Sequence, residues 1–164
     1  MADDPGAEVS LRPVTSATWR STLALRVRAE QLRFVADSQP IALVMLAKAY
    51  VRPGGLTWAP YAIFLGDEPV GMLQVADNPS GDADTCWLYH FFVDAGRQGR
   101  GIGTAALRAA LALIAREHPA AREVRLTVHP DNAAARRLYE REGFRVTGEQ
   151  RDGEDVFVWG LSRQ

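Results

Sequence analysis

The residues most suggestive of chemistry are four glycines within the eight positions from Gly96 to Gly103. They lie between an apolar, aromatic-rich stretch and a run with helical periodicity, so they are predicted to link a strand to a helix. The first turn of a helix carries free N–H groups and a partial positive charge, and glycines let a phosphate approach that backbone closely. The pattern therefore indicates an anion-binding turn, with a turn that only caps the helix as the alternative.

Two common phosphate-binding patterns do not fit this turn. A P-loop needs a Gly-Lys-Ser/Thr sequence, and none follows Gly103. A dinucleotide-binding fingerprint is expected early in the chain and is followed by an acidic ribose ligand after the next strand. Here the strand comes late, and the next strand, predicted over 123–128, lacks that acid. The glycines therefore indicate a different class of phosphate-bearing ligand.

A second group of reactive residues lies about thirty positions downstream, on a predicted helix. Asn132 is a good N-cap for that helix, and Gly143 is a natural stop at its C-terminus. Tyr139 shares a helical stripe with Ala135 and Leu138, which alone would make it an ordinary core aromatic. A phenol beside a reacting group can also act as a general acid, so both interpretations of Tyr139 stay open at this point.

The elements that must position these residues follow from hydrophobic periodicity and turn signals. The first helix is predicted to start at Thr15 or Ser16 and to carry a stripe of Leu23, Val27 and Gln31. The other predicted helices span 40–50, 104–117 and 133–142, and the predicted strands span 9–13, 61–65, 70–75, 85–93, 123–128, 144–147 and 156–159. This order predicts a mixed α/β fold with helices on both faces of one sheet.

The bulk properties indicate one globular domain over residues 1–164, with residues 1–8 as a flexible leader. Apolar residues make up 47% and charged residues 24%, which is typical of a soluble protein, and the net charge of -1 favours neither nucleic acid nor a membrane surface as a partner. The acidic N-terminus lacks the features of a secretion signal, so a cytoplasmic location is expected. One cysteine allows neither an internal disulfide nor a cysteine-based metal cluster, and no metal site is predicted.

Two motifs together carry a resemblance to a known family. Gln98-x-x-Gly101-x-Gly103 resembles the acyl-CoA-binding signature of the Gcn5-related N-acetyltransferases, the GNAT family. The second signature of that family is matched at the expected distance by Asn132, Leu138-Tyr139 and Gly143-Phe144. The order of predicted elements is also similar, over nearly the whole chain. The resemblance implies acetyl-CoA as cofactor and a mostly antiparallel sheet that splays between strands 85–93 and 123–128.

The resemblance also implies roles for individual residues. The N–H near Val93 would polarise the thioester carbonyl, Tyr139 would protonate the departing thiolate, and the backbone from Gln98 to Thr104 would bind the pyrophosphate. The implied cofactor-binding residues are Phe91, Phe92, Val93, Gln98, Gly99, Arg100, Gly101, Ile102, Gly103, Thr104, Asn132 and Tyr139.

The expected acceptor is a primary amine of a small molecule. The segments around residues 25–37 and 143–154 resemble those of bacterial diamine and polyamine acetyltransferases. Glu30 and Asp37 are candidates to hold a distant ammonium, and Trp87 and Tyr89, with Trp58 and Tyr61, are candidates to line the amine site through cation–π contacts. The alternatives are an aminoglycoside acceptor, a protein or peptide amine, or a non-catalytic acyl-CoA-binding module. The sequence leaves the oligomeric state open, and a homodimer is among the states it allows.

The general base is the missing component. Some relatives carry it on strand 85–93 with the parity of Trp87 and Tyr89, where this chain has only aromatic residues. Strand alternation predicts that His90 points with Cys86, Leu88 and Phe92 to the opposite face. The expected base is therefore a chain of water molecules, or the amine arrives already neutral.

Overall fold

The computed structural model describes residues 8–78 and 81–161, so nearly all of the predicted leader lies outside the described residues. The α-helices are α1 (Trp19–Thr22), α2 (Ile41–Val51), α3 (Ile102–Glu117) and α4 (Ala133–Arg141). Short 3₁₀ helices cover Ala29–Phe34, Pro53–Gly55 and Ala95–Arg97. The strands are β1 (Val9–Pro13), β2 (Thr57–Leu65), β3 (Glu68–Asp77), β4 (Thr85–Val93), β5 (Glu123–Val128), β6 (Arg145–Arg151) and β7 (Glu154–Gly160).

The described strands form a single sheet in the order β1-β2-β3-β4-β5-β7-β6. Every neighbouring pair is antiparallel except β4 and β5, which run parallel. Consecutive strands joined by short turns pair as antiparallel hairpins, whereas β4 and β5 are connected through α3 and so can run side by side in the same direction. The predicted mixed, mostly antiparallel sheet is confirmed.

The splay that was predicted between β4 and β5 is present. The two strands pair only where they begin, from Thr85 opposite Glu123 to Trp87 opposite Arg125. Beyond that point β5 continues to pair with β7, while the edge of β4 that faces β5 has no strand partner among the described residues. The end of β4, up to Val93, therefore leaves main-chain groups available to a ligand in the gap.

Helices cover both faces of the sheet. The face of α3 that packs on the sheet is apolar, with Leu107, Ala110 and Ile114 fully buried in the larger core cluster. On the opposite face, α2 buries Ile41 and Met45 in a second cluster with Met72 of β3. The gap between β4 and β5 thus lies in the middle of a two-sided layer structure, as predicted.

A bulge interrupts β4 at His90. Between the pairs Gln74–Tyr89 and Met72–Phe92, β4 advances three residues while β3 advances two, and His90 has a positive φ of 50°. The extra residue shifts the alternation, so Phe92 packs in the α2 cluster and not with Leu88 in the α3 cluster. The prediction that His90, Leu88 and Phe92 share one face is therefore wrong, because it assumed a regular strand.

The first helix is also much shorter than predicted. α1 spans only Trp19–Thr22, its N-cap residue is Thr18 in place of Thr15 or Ser16, and the segment beyond it is irregular up to the 3₁₀ helix Ala29–Phe34. In this segment the backbone of Arg26 bonds to the turn after β4, with its N–H donating to Asp94 Oδ1 at 2.9 Å and its C=O accepting from the N–H of Ala95 at 2.8 Å. These long-range hydrogen bonds take the place of hydrogen bonds within a helix. Hydrophobic periodicity alone does not show which of the two will form.

Within the described ranges, 8–78 and 81–161, no helix is long and apolar enough to cross a bilayer. The same residues contain no group of three or more His, Cys, Asp or Glu side chains placed to hold a metal ion.

Candidate active site

A cavity of about 290 Å³ and another of about 320 Å³ are lined by consecutive parts of the second half of β4 and share Phe91. The larger is here called the glycine cavity, because the glycine-rich turn forms one wall. It is lined by Gln31, Phe91, Phe92, Val93, Arg97, Gln98, Gly99, Gly101, Ile102, Gly103, Ala134, Ala135, Leu138 and Tyr139.

The turn has the geometry expected of an anion-binding site. Gly99 and Gly101 both have φ of +79°, a conformation that side-chain-bearing residues rarely adopt, and α3 begins immediately afterwards at Ile102. A Cβ at either glycine would meet no atom of the described residues within 4 Å, so the backbone there is open to a ligand. The first N–H groups of α3 have no partner inside the helix, and Ile102 and Gly103 at its start line the same cavity.

An amide pair that was not predicted ties this turn to the 3₁₀ helix Ala29–Phe34. The side chains of Gln31 and Gln98 bond reciprocally, with N···O distances of 3.1 and 2.9 Å. Gln98 Nε2 also donates to the carbonyl of Val93 at 3.1 Å. The side chain of Gln98 therefore fixes the end of β4 and the start of the turn, while the backbone of the turn faces the cavity.

The smaller cavity is here called the charged cavity. It is lined by Arg33, Phe34, Val35, Ala36, Asp37, Lys48, Leu88, Tyr89, His90, Phe91, Leu126, Thr127, Val128, His129, Asn132, Ala135, Tyr139, Asp152 and Glu154. Among these described residues are three carboxylates from two segments far apart in sequence: Asp37 from one, and Asp152 and Glu154 from the turn into β7. Arg33 is ion-paired with Asp131 at 2.9 Å, which leaves the three lining carboxylates free of that arginine.

The two cavities meet at Tyr139. This residue lines both, together with Phe91 and Ala135, and its side chain is 8% exposed. Burial, reinforced by the charge of Glu154, raises the pKa of the Tyr139 phenol above its ordinary value. The phenol therefore stays protonated at neutral pH and can act as a donor at the point where the cavities join.

Most of the predicted cofactor-binding residues line the glycine cavity: Phe91, Phe92, Val93, Gln98, Gly99, Gly101, Ile102, Gly103 and Tyr139. Arg100 and Thr104 are not among the described residues of its wall, and the Thr104 hydroxyl accepts a bond from Arg141 at 3.2 Å. Asn132 caps α4, since its Oδ1 accepts from the N–H of Ala135 at 3.2 Å, and it lines the charged cavity.

Only some of the residues predicted to bind the acceptor line the charged cavity. Asp37 and Tyr89 line the charged cavity, whereas Glu30 is exposed and lies outside it. Trp87 lines a neighbouring cavity, where the guanidinium of Arg151 lies 4.2 Å from its ring centroid. Tyr61 bonds to Glu117 and packs in the α3 cluster, away from this region.

The aromatic rings expected to hold a substrate cation instead hold cations of the chain itself. Lys48 Nζ lies 4.7 Å from the ring centroid of Trp58 and 5.4 Å from that of Tyr89. It also lies 2.8 Å from Nε2 of His90. A substrate ammonium in the charged cavity must therefore rely on carboxylates, because these aromatic faces are already covered.

The bulge places His90 in the charged cavity with both ring nitrogens engaged. Nδ1 lies 2.7 Å from the carbonyl oxygen of Val35, which can only accept, so Nδ1 carries the proton and Nε2 is the acceptor. Burial, followed by the charge of Lys48, lowers the pKa of His90 below its ordinary value. The imidazole is therefore neutral at pH 7, with its Nε2 lone pair directed at Lys48.

Sequence reasoning missed Lys48, Asp152 and Glu154. The Asp152-Gly153 pair was correctly interpreted as the turn between the last two strands. Its location beside Tyr139 depends on the strand order, because β7 pairs with β5 and so brings its first residues to the edge of the gap. No local signal in the sequence carries that information.

Comparison with known proteins identifies the family. A sequence profile described as the acetyltransferase (GNAT) family matches residues 22–144. The chain belongs to the GNAT family of acetyltransferases. As a GNAT enzyme, the protein is an acetyl-CoA-dependent N-acetyltransferase, as predicted.

Named relatives and solved structures of this family differ in their acceptors. The chain is 28% identical over 155 residues to the spermine/spermidine N(1)-acetyltransferase of Bacillus subtilis, and the match covers 92% of this chain and 97% of that protein. It is similar in fold to the aminoglycoside acetyltransferase AAC(6')-Ib with coenzyme A and kanamycin, with a TM-score of 0.70, 23% identity and coverage of 93% and 95%. An acetyltransferase from Salmonella typhimurium that modifies the N-terminal serine of ribosomal protein L7/L12 gives a TM-score of 0.70 at 19% identity, with coverage of 98% and 99%.

The glycine cavity of this GNAT enzyme suits coenzyme A. The open backbone at Gly99 and Gly101, the N-terminus of α3 and the edge of β4 that faces the gap provide main-chain donors beside a mostly apolar wall. When bound, acetyl-CoA supplies an activated acetyl group.

Proposed function

We propose that the protein transfers an acetyl group from acetyl-CoA to a primary amine of a diamine or polyamine, which enters through the charged cavity. The observation that carries this proposal is that Asp37, Asp152 and Glu154 line the cavity that meets the glycine cavity at Tyr139. A polyamine presents several ammonium groups along an apolar chain, and separated carboxylates are the matching partners for such a ligand.

The attacking nitrogen must be neutral, while the other nitrogens of the acceptor remain charged. The only two imidazoles that line the charged cavity among the described residues are poorly placed as bases, because His90 is bonded to Lys48 and Val35 and His129 Nδ1 accepts from the N–H of Asp131 at 3.1 Å. We infer that the acceptor enters with its terminal nitrogen already neutral, or loses its proton to water in the cavity.

The residues between the cavities then have distinct roles. The Val93 N–H stabilises negative charge on the thioester oxygen, and Tyr139 donates a proton to the leaving sulfur. Gly71 allows the close approach of β3 to this part of β4, because a Cβ there would lie 2.3 Å from the carbonyl oxygen of Phe92. The end of β4 is thus held firmly from one side and left open on the other.

The relatives support a cationic acceptor without fixing which one. The curated relatives at 28% identity are named as spermine or spermine/spermidine acetyltransferases. The aminoglycoside enzyme of similar fold acts on a different class of amine, and the ribosomal enzyme acts on a protein N-terminus. The three lining carboxylates favour a multiply charged small molecule over a peptide N-terminus.

The test is a thiol-release assay with purified protein, acetyl-CoA and a panel of acceptors at equal concentration. The panel contains spermidine, spermine, kanamycin and a peptide with an N-terminal serine. We expect spermidine and spermine to give the highest kcat/KM. Faster turnover of kanamycin or of the peptide would contradict the polyamine proposal, and cofactor binding without turnover of any acceptor would favour a regulatory acyl-CoA-binding role.

A further inference from the structure

Lys48 has the surroundings of an activated nucleophile. Its Nζ donates to Nε2 of His90 at 2.8 Å, and His90 Nδ1 donates in turn to the carbonyl of Val35 at 2.7 Å. A nucleophile bonded to a base, with the base oriented by a third group, is the arrangement that activates side chains for covalent chemistry. The carbonyl of Val35 fixes the tautomer that leaves the lone pair of His90 facing Lys48.

The charge state of Lys48 also favours reactivity. No carboxylate among the described residues lies within ion-pair distance of Nζ, and the side chain is about half-buried beside Trp58 and Tyr89. Loss of hydration lowers the pKa of Lys48, and the more distant charge of Asp37 only partly opposes this effect. A larger fraction of this amine is therefore neutral at a given pH than for a lysine on the surface.

The location of this amine adds the third component. Lys48 lines the charged cavity, which Tyr139 and Phe91 share with the glycine cavity, and His90 directly precedes Phe91 in the chain. Lys48 is also the only lysine in the sequence. An acetyltransferase thus carries its single lysine amine, with a base already attached, on the wall of the cavity that we assign to the acceptor.

We propose that Lys48 is an acetylation site, modified by the active site of its own chain when no acceptor occupies the charged cavity. Lys48 first gives one ammonium proton to solvent. Its neutral Nζ then forms a bond to the acetyl carbon as the carbon–sulfur bond breaks, and a second proton passes from Nζ to Nε2 of His90. The sulfur leaves as a thiol after taking a proton from Tyr139 or water, and His90 returns its own proton to solvent.

The product of this step is a stable amide, so the reaction stops after one acetyl group per chain. Acetylation removes the positive charge and the cation–π contacts with Trp58 and Tyr89. It removes the lysine charge near Asp37, so a cationic acceptor binds more tightly to the acetylated form. Acetylation of Lys48 would therefore lower the KM for spermidine while leaving kcat similar.

The test is peptide mass spectrometry on the full chain after incubation with acetyl-CoA alone. We expect acetyl-Lys48 to accumulate to one group per chain, at an initial specific rate that does not depend on protein concentration. The rate should rise with pH, because Lys48 reacts only when neutral; the titratable groups around it are His90, Tyr89 and Asp37. Excess spermidine should slow the modification by occupying the cavity.

Two variants test the mechanism of this modification. His90→Asn keeps a donor near Val35 and tolerates the positive φ of this position, but it removes the base, so Lys48 acetylation should slow by at least about tenfold. Lys48→Arg should abolish the acetylated peptide, and any remaining modification would then report only the N-terminal amine.

Lys48 that stays unmodified in a preparation that turns over spermidine would overturn the inference and leave the polyamine proposal intact. A specific rate that increases in proportion to protein concentration would also overturn it, since the transfer would then occur between copies. If Lys48 is acetylated in a preparation that does not acetylate spermidine, the inference holds and the polyamine proposal fails.

Discussion

The two cavities that meet at Tyr139 are built in opposite ways. The glycine cavity is lined mostly by one continuous stretch, the end of β4, the turn and the start of α3, with α4 closing one side. The charged cavity is formed by side chains from segments far apart in sequence, including Asp37, Lys48, His90 and Glu154. The glycine cavity tolerates substitution at few positions without losing its geometry. The charge of the charged cavity can be changed by substitution at many positions.

This contrast explains how a family can keep one cofactor and vary its acceptor. The direction of backbone donors depends on chain conformation, so cofactor binding requires glycines at positions with positive φ, such as Gly99 and Gly101. Acceptor binding depends on which side chains project from several loops and strand ends. Substitutions in the two cavities should therefore affect different constants. Those in the glycine cavity should change the acetyl-CoA dissociation constant, and those in the charged cavity should change kcat/KM for the acceptor.

The largest expected effect is at the junction itself. Tyr139→Phe preserves the buried ring and removes the phenol, so kcat should fall by about 10²-fold while the acetyl-CoA dissociation constant stays unchanged. Steady-state kinetics and calorimetry on the same preparation measure both quantities. Turnover of this variant at the wild-type rate would show that Tyr139 has only a structural role and that its phenol is not the proton donor.

The second-largest effect is expected at the glycine-rich turn and tests whether its backbone binds the cofactor. Gly101→Val places a β-branched residue at φ of +79° and puts a side chain where the ligand approaches, so the acetyl-CoA dissociation constant should rise by about tenfold or more. Gly55→Val is the matched control, because Gly55 also has a positive φ and open surroundings but lies outside both cavities. Equal cofactor affinity in the two variants would show that the turn does not hold the pyrophosphate.

A smaller effect is expected from the carboxylates of the charged cavity. The double variant Asp37→Asn and Asp152→Asn keeps shape and removes two charges, and Asn tolerates the positive φ of residue 152. The kcat/KM for spermidine should fall roughly fivefold, with little change for a monoamine that has no distal charge. Glu30→Gln serves as the control, since Glu30 is exposed and outside the cavity. If Glu30→Gln has the larger effect, the acceptor does not occupy the charged cavity.

The smallest effect concerns the link between the cofactor turn and the segment beside the acceptor. Gln31→Met keeps the length of the side chain and breaks its two bonds to Gln98, so the acetyl-CoA dissociation constant should rise roughly threefold. Gln150→Met removes an amide that bonds only to Asp155 on the surface and should leave cofactor affinity unchanged. Identical affinities for the two variants would mean that the amide pair does not position the turn.

The sequence predicted the glycine side of the site far better than the charged side. The glycine turn, the N-cap at Asn132 and the splay after Trp87 each follow from local patterns or from the family motifs that contain them. The extra residue at His90 is invisible to strand alternation, because a bulge has no fixed residue signature. Glu154 reaches Tyr139 only through the pairing of β7 with β5, which is a long-range property of the sheet.

The early helices show the same limit. Val27 of the predicted stripe is buried, but Leu23 is only partly buried, and Leu25, which lay outside the stripe, is buried. The backbone of this irregular segment bonds to the turn after β4. Periodicity therefore identified neither the full set of core residues here nor the hydrogen bonds that decide their conformation. The assignment of Glu30 to the acceptor site depended on that missing geometry.

The most direct test of the polyamine proposal is the ratio of kcat/KM for spermidine to that for a monoamine of equal length, measured at low and high salt. The carboxylates of the charged cavity should give spermidine a clear advantage at low salt, and screening should reduce that advantage as the ionic strength rises. A ratio near one at both salt concentrations would contradict the account, because it would show that no distal ammonium of the acceptor is held.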